Sequence, residues 1–137
     1  MDPSLISAPL NVKSLLTRYG IKPSKGLGQN FLSDNTALEK VVWAAGDLTG
    51  RTVMEVGPGL GSLTRLLCQS AGRVVAVELD RKLIPILHKV LEPFKNVEII
   101  QGDILEINPA EIISEPGYYV IANIPYNITS ALIRHLL

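Results

Sequence analysis

Residues 52–67, TVMEVGPGLGSLTRLL, contain the pattern on which the fold assignment depends. A short, mainly apolar run over 52–56 is followed by the turn GPGLG at 57–61, in which three of five residues are glycine. The leucines after the turn recur at helical spacing. The order predicts a buried strand, a tight turn and an amphipathic helix, which is the repeating unit of a parallel α/β sheet.

The alternation of helix and strand continues on both sides of this unit. Each predicted strand is a short apolar run, which is typical of a parallel sheet covered on both faces, and we therefore expect a doubly wound α/β sheet. Pro85 lies inside a predicted helix and should kink its first turn or delay its start. We predict further strands at 74–77, 97–100 and 118–122, and helices over 11–19, from the Ser33–Asp34 region to Gly46, from Asp80 to 91, and from the Thr129–Ser130 region onward.

Composition excludes several classes of protein. The 137 residues have 47% hydrophobic side chains, no net formal charge and no apolar run long enough to span a membrane. The single cysteine excludes an intramolecular disulfide and indicates a reducing compartment, so we expect a cytoplasmic protein without a membrane partner. Two histidines are too few for most metal centres, and no metal is expected. Residues 1–30 carry four basic residues against one acidic residue, and such an arm favours an anionic partner.

In a parallel α/β sheet, ligands bind beside the carboxyl ends of the strands, so the residues just after each strand are informative. GPGLG follows the first strand and Glu78 the second, Asp103 follows the third, and NIPY at 123–126 follows the fourth. The four predicted strands therefore bring glycine or polar residues to one edge.

These residues favour a pocket for adenosine. Gly57 begins a G-x-G-x-G turn without a side chain to block a ligand, and Glu78, 21 residues later, is placed to accept ribose hydroxyls. Asp103 is suited to the adenine amine. No Lys or Arg in the turn serves a pyrophosphate, which points to S-adenosylmethionine. Each of these features also has an explanation without a ligand. The glycines could serve packing, Glu78 could be an exposed acid at a helix start, and Asp103 could be a turn residue.

The NIPY stretch indicates which atom receives the methyl group. An exocyclic amine on an aromatic ring is a poor nucleophile, and the Asn123 side-chain oxygen with the Ile124 carbonyl could hold its N–H groups and orient its lone pair. Pro125 stiffens the turn, and Tyr126 offers a face on which a base can stack. The alternative is an ordinary strand-to-helix turn.

The chain resembles the KsgA-type ribosomal RNA adenine N6,N6-dimethyltransferases throughout its length. Five motifs carry the resemblance in the family's order: GQNFL at 28–32, EVGPGLG at 55–61, VELD at 77–80, GD at 102–103 and NIPYNI at 123–128, where Ile124 replaces a more usual leucine. The resemblance implies the Rossmann-like fold of class I S-adenosylmethionine-dependent methyltransferases, with a mainly parallel sheet truncated here after the fourth strand.

The resemblance also implies roles for individual residues. Asn123, Pro125 and Tyr126 would be catalytic, with Tyr126 holding a target base that has left its stack. We expect residues 1–33 to form a basic arm with the first family motif, and residues 34–137 to be a partial methyltransferase domain without its last strands and its helical C-terminal domain. The residues that would contact the cofactor are Asn30, Leu32, Gly57, Glu78, Asp103 and Asn123.

The activity implied is dimethylation of two adjacent adenosines in a small-subunit rRNA hairpin, on an immature 30S particle, by a monomeric enzyme. The alternatives are a large-subunit rRNA methyltransferase of the antibiotic-resistance type, which the GPGLG turn disfavours, and a non-catalytic ribosome-assembly or RNA-binding factor. An NAD-dependent oxidoreductase is a weaker alternative, because the G-x-G-x-x-G pattern is missing. Trp43 is expected in the core or an interface and Cys68 in the core.

Overall fold

The computed structural model describes residues 10–21 and 35–122. Its elements follow one another as helix and strand, as the sequence predicts. They are α1 (Val12–Arg18), α2 (Asn35–Ala44), β1 (Thr52–Val56), α3 (Ser62–Ser70), β2 (Arg73–Glu78), a 3-10 turn (Arg81–Leu83), α4 (Ile84–Leu91), β3 (Val97–Gln101), α5 (Pro109–Ile112) and β4 (Tyr119–Ala122).

The four described strands form one parallel sheet in the order β3-β2-β1-β4. Val56 is in register with Val77 of β2 on one side and with Ala122 of β4 on the other. The carboxyl ends of β1, β2 and β4 therefore lie at the same edge, which we call the carboxyl edge. The strand order, with the first strand central and the fourth on its other side, confirms the predicted doubly wound topology.

Two apolar layers cover the central strands. Val53 and Val74 face a cluster that includes Leu67 of α3 and Leu38 of α2. On the opposite face, Met54, Val56, Val75 and Val77 pack with Ile104 and Ile113 from the segment around α5. The side chains of β1 and β2 in these layers are at most 4% exposed, so these two strands form the rigid base from which the loops of the carboxyl edge project.

The helix starts and stops have local causes. The side chain of Asn11 accepts a hydrogen bond from the Ser14 N–H and caps α1, and Gly20 ends this helix with φ +66°. Pro85 delays α4, as expected: the chain makes a 3-10 turn over Arg81–Leu83, and α4 begins only at Ile84 with proline in its first turn. The Asp80 side chain accepts from the Lys82 N–H and caps that 3-10 turn.

Some expectations were wrong in detail. Of the four strands that the structure describes, only β1 and β2 are buried on both faces. Strand β3 exposes Glu98 and Gln101, and in β4 Val120 is 39% exposed, because these strands flank the central pair. The helix over Pro109–Ile112 was not predicted, since four residues are too short for a periodic pattern.

Trp43 is 86% exposed, so it is not a core residue. Cys68 is buried as expected, and burial raises the pKa of its thiol to about 12.

The predicted boundary between residues 33 and 34 and the predicted final helix lie outside the described residues and stay predictions. Within residues 10–21 and 35–122, no helix has the length and apolar character needed to cross a membrane.

Candidate functional site at the carboxyl edge

Backbone hydrogen bonds hold the loops of the carboxyl edge side by side. The N–H of Gly57, directly after β1, donates to the Val77 carbonyl across 2.9 Å. The N–H of Gly102, directly after β3, donates to the Glu78 carbonyl, also across 2.9 Å. Three successive strands thus deliver GPGLG, Glu78 and the Gly102–Asp103 pair to one rim, as the sequence predicts.

Glu78 links two of these loops through its side chain. Its Oε1 accepts from the Gly59 N–H at 3.0 Å, and its Oε2 accepts from the Asp80 N–H at 2.8 Å. The residue is only 6% exposed, and burial raises the pKa of its carboxyl group, against the effect of these two hydrogen bonds. Each carboxylate oxygen has a second lone pair, so both can still accept a hydrogen bond from a ligand hydroxyl.

The GPGLG turn requires its glycines for two different reasons. Gly57, Gly59 and Gly61 all have positive φ, at +74°, +62° and +90°, where other residues are strained. At Gly61 a Cβ would also lie 3.2 Å from Val90 and 3.3 Å from Leu87 of α4. The third glycine therefore serves close packing between turn and helix, which is the ordinary alternative that the sequence left open for this loop.

Glu55 was named from the sequence only as the first residue of the EVGPGLG motif, and its burial behind the turn was not predicted. Glu55 of β1 is 1% exposed, and its Oε1 accepts from the Thr64 hydroxyl of α3 at 2.6 Å. Burial raises the pKa of Glu55 to about 7; the Thr64 hydrogen bond opposes this shift, and repulsion from Glu78 adds to it. The signal was present in the sequence, because Glu55 is the one charged residue in the strand TVMEV.

Asp103 has a structural role that the sequence also left open. Its Oδ1 accepts from the Leu105 N–H at 3.0 Å, and its carbonyl accepts from the Glu106 N–H. These contacts make Asp103 a turn residue, half-buried at the rim. They leave its second carboxylate oxygen for a further donor, so the turn and the expected adenine contact are compatible.

The remaining predicted site residues lie outside the described residues. These are Asn30 and Leu32 before α2, and Asn123, Pro125 and Tyr126 after β4. Chain continuity alone connects Asn123 to Ala122, which is in register with Val56. Within the described ranges, no three His, Cys, Asp or Glu side chains come together as a metal site requires.

An open cleft lies elsewhere, at the edge formed by the amino ends of the strands. Its volume is about 640 Å³, and its lining includes Trp43 and Leu48 before β1 and Gln69 and Ser70 before β2. Gly57, Glu78 and Asp103 are not part of its lining. The cleft is therefore separate from the candidate site.

Comparison with known proteins identifies a family for the chain. The family model described as ribosomal RNA adenine dimethylase matches residues 21–137. The chain belongs to the ribosomal RNA adenine dimethylase family. The match includes all five motifs from which the resemblance was inferred, and the assignment made from the sequence is confirmed.

Curated members of this family resemble the chain over nearly its whole length. "Ribosomal RNA small subunit methyltransferase A" of Macrococcus caseolyticus is 42% identical over 142 residues, covering 100% of this chain and 48% of that relative. The protein of the same name from Dehalococcoides mccartyi is 44% identical over 136 residues, covering 98% of this chain and 46% of the relative. The chain thus spans about half the length of the curated relatives it matches.

Solved structures confirm the Rossmann-like methyltransferase fold. The 23S rRNA methyltransferase ErmE is 33% identical with a TM-score of 0.68, over 77% of this chain and 41% of that one. A dimethyladenosine transferase from Plasmodium falciparum is 30% identical with a TM-score of 0.65, over 77% of this chain and 37% of that one. Membership of the ribosomal RNA adenine dimethylase family thus rests on sequence and fold together.

Proposed function

We propose that this chain is the catalytic part of an S-adenosylmethionine-dependent rRNA adenine N6,N6-dimethyltransferase that modifies two adjacent adenosines of small-subunit rRNA. The observation that carries the proposal is the rim itself, where the Glu78 carboxylate and the GPGLG turn meet beside Asp103. Family membership and the names of the curated relatives support the same activity.

The described residues fit the nucleoside part of the cofactor. Glu78 presents two carboxylate oxygens that each retain acceptor capacity, as two neighbouring ribose hydroxyls require. Gly57 and Gly59 present backbone without side chains, so a ligand can approach closely. Asp103 would accept from the adenine amine. Asn30, Leu32 and Asn123 complete the proposed set by resemblance to the family.

S-adenosylmethionine supplies a methyl group on a positively charged sulfur. The protein has to hold the target amine in line with that methyl group and keep its lone pair available, which requires positioning more than a strong base. We assign this role to Asn123 and to the backbone after it. Pro125 would stiffen the turn, and Tyr126 would stack on the flipped adenine.

The small-subunit substrate is favoured over the large-subunit substrate by the sequence relatives. Proteins named small subunit methyltransferase A cover 96% to 100% of this chain at about 40% identity. The similarity to the 23S rRNA methyltransferase ErmE supports the alternative of a large-subunit substrate. The small-subunit and large-subunit hypotheses share adenine methylation and differ in the RNA that is recognised.

We propose an immature 30S particle as the partner, bound in part through the basic residues of 1–33, and a monomeric enzyme acting in the cytoplasm. The cations Lys13 and Arg18 are exposed on α1, as an RNA contact requires. A role in ribosome assembly without methylation is the competing hypothesis.

The experiment is methylation of 30S and 50S particles that lack these modifications, with the full-length protein and S-adenosylmethionine, read by primer extension. We expect stops at two adjacent adenosines of 30S RNA only. Stops in 50S RNA would select the alternative substrate. If Asn123→Ala restored 30S assembly as fully as wild type without methylation, the assembly role would dominate.

A further inference from the structure

Helix α1 has no part in the chemistry proposed above, yet it packs in the cluster that contains the glycine turn. Leu16 of α1 is 7% exposed and shares one apolar cluster with Leu60, Leu83 and Ile86, none more than 2% exposed. Leu60 is the one apolar side chain of the GPGLG turn other than its proline. The cluster thus connects α1 to the proposed cofactor loop.

Although α1 has only seven residues, both of its ends are closed by hydrogen bonds. At its start, the Asn11 side chain accepts from the Ser14 N–H at 2.9 Å. At its end, the Ile21 N–H donates to the Leu16 carbonyl at 2.9 Å, and the Gly20 N–H donates to the Thr17 carbonyl at 3.2 Å. This pair of hydrogen bonds is a Schellman motif. Leu16 therefore lies in a helix whose two ends are both fixed, and its own carbonyl accepts one of the hydrogen bonds that end the helix.

The glycine turn is held from three directions. Glu78 accepts from the Gly59 N–H, α4 packs against Gly61, and Leu60 enters the cluster that contains Leu16. Hydrogen bonds also set the backbone of the turn, since the Gly61 N–H donates to the Pro58 carbonyl across 3.0 Å. Glycines flank Leu60 on both sides and restrict the backbone little, so packing of the Leu60 side chain adds to the order of the turn. Truncating Leu16 would remove part of that packing and let Leu60 shift into the space.

We propose that Leu16 is a positioning residue for the cofactor loop: it fixes the GPGLG turn through the apolar cluster around Leu60, so α1 belongs functionally to the cofactor site. The identity of the ligand rests on the function proposed above, whereas the effect on the turn does not. This assigns a role in cofactor binding to a residue that no sequence motif marks.

The test compares Leu16→Ala, Leu16→Met and Leu48→Ala in the full-length protein. Leu48 is 2% exposed in the separate cluster around Val53 and lies before β1, so its truncation removes the same atoms far from the turn. Hydrogen exchange of the Gly59 and Gly61 amides is measured without ligand, and S-adenosylmethionine affinity by calorimetry, at a temperature where all variants are folded by circular dichroism.

We expect Leu16→Ala to speed exchange of these two amides about tenfold and to weaken S-adenosylmethionine binding by about 5- to 30-fold. Leu16→Met nearly conserves the volume of the side chain, so its amide exchange rates and its S-adenosylmethionine affinity should both stay within about threefold of wild type. Leu48→Ala should lower the midpoint of thermal unfolding by about as much as Leu16→Ala does. It should change neither the exchange of the Gly59 and Gly61 amides nor the affinity for S-adenosylmethionine.

Unchanged exchange or unchanged affinity in Leu16→Ala, or equal changes in Leu48→Ala, would overturn the proposal. If wild type bound no S-adenosylmethionine while exchange in the turn responded as expected, the positioning role would stand and the proposed function would fail. The two failures are thereby distinguished.

Discussion

The main-chain N–H of Gly59 donates to Oε1 of Glu78 across 3.0 Å, which connects the loop after β1 to the end of β2. The other carboxylate oxygen accepts from the Asp80 N–H. A residue expected only to contact ribose therefore also shapes the turn proposed to contact the cofactor. Loss of this side chain should affect the site twice, through a missing ligand contact and through a less ordered loop.

Replacement of Glu78 by Gln tests this double role. The amide keeps one acceptor oxygen but turns an NH2 group toward a backbone N–H, so one of the two hydrogen bonds is lost. We expect S-adenosylmethionine affinity to fall about 10- to 100-fold, the range for hydrogen bonds to charged groups. Calorimetry measures this, with Glu98→Gln as the matched control in an exposed ion pair with Arg73. Equal affinities for Glu78→Gln and wild type would contradict the role.

Gly61→Ala tests the packing of the turn on α4. A Cβ at this position meets Leu87 and Val90 at 3.3 and 3.2 Å, in addition to the strain of φ +90°. We expect a loss of about 2–4 kcal/mol in the free energy of unfolding by urea.

Gly117→Ala is the control for Gly61→Ala. Gly117 has φ +75° and nothing within 4 Å of the added Cβ, so only the backbone strain, about 1 kcal/mol, should appear. Equal losses for the two variants would show that contact with α4 is unimportant.

The buried Glu55 predicts a dependence of stability on pH. Burial raises its folded-state pKa from 4.5 to about 7. The folded protein then binds the proton more tightly than the unfolded chain, so the free energy of unfolding falls as pH rises from about 4.5 to about 7 and then levels off. The fall from this group amounts to at most about 3 kcal/mol. The pKa of Glu78 is raised too, and it acts in the same direction.

Glu55→Gln should remove the Glu55 contribution to this slope and keep an acceptor for the Thr64 hydroxyl. Urea unfolding from pH 5 to 8 measures it, and Glu106→Gln, at an exposed carboxylate, should leave the slope as in wild type. A Glu55→Gln protein with an undiminished slope would mean that another group titrates in this range.

The exposed cations of α1 predict a salt-dependent RNA contact. Replacing Lys13 and Arg18 by Glu should weaken binding of single-stranded small-subunit RNA and lower the slope of log affinity against log salt by about 1.4. Lys95→Glu provides a control at an exposed position before β3, at the edge formed by the amino ends of the strands. Filter binding at several salt concentrations measures both effects. Unaltered slopes would exclude α1 from the RNA contact.

Most of the fold was predictable because the local signals agreed. The apolar run at 52–56, the glycine turn and the leucines of α3 all favoured one β-turn-α unit, and the structure has that unit at those residues. The late start of α4 at Ile84 followed from Pro85 alone. Burial of the outer strands was not predictable, because it depends on neighbours in space rather than on the composition of the strand.

The site was predictable in position but not in its internal contacts. Strand ends indicated Glu78 and Asp103, since parallel strands share a carboxyl edge. The hydrogen bond from Gly59 to Glu78 and the pairing of Glu55 with Thr64 depend on side-chain geometry between distant residues. Likewise, the shared cluster of Leu16 and Leu60 joins residues 44 positions apart, which no local pattern records.

Binding of S-adenosylmethionine at the carboxyl edge is measured by calorimetric titration of the full-length protein with S-adenosylmethionine and, in parallel, with NAD. We predict saturable binding of S-adenosylmethionine at one site per chain and no detectable heat from NAD. Binding of NAD in preference to S-adenosylmethionine, or of neither, would mean that the carboxyl edge is not an S-adenosylmethionine site.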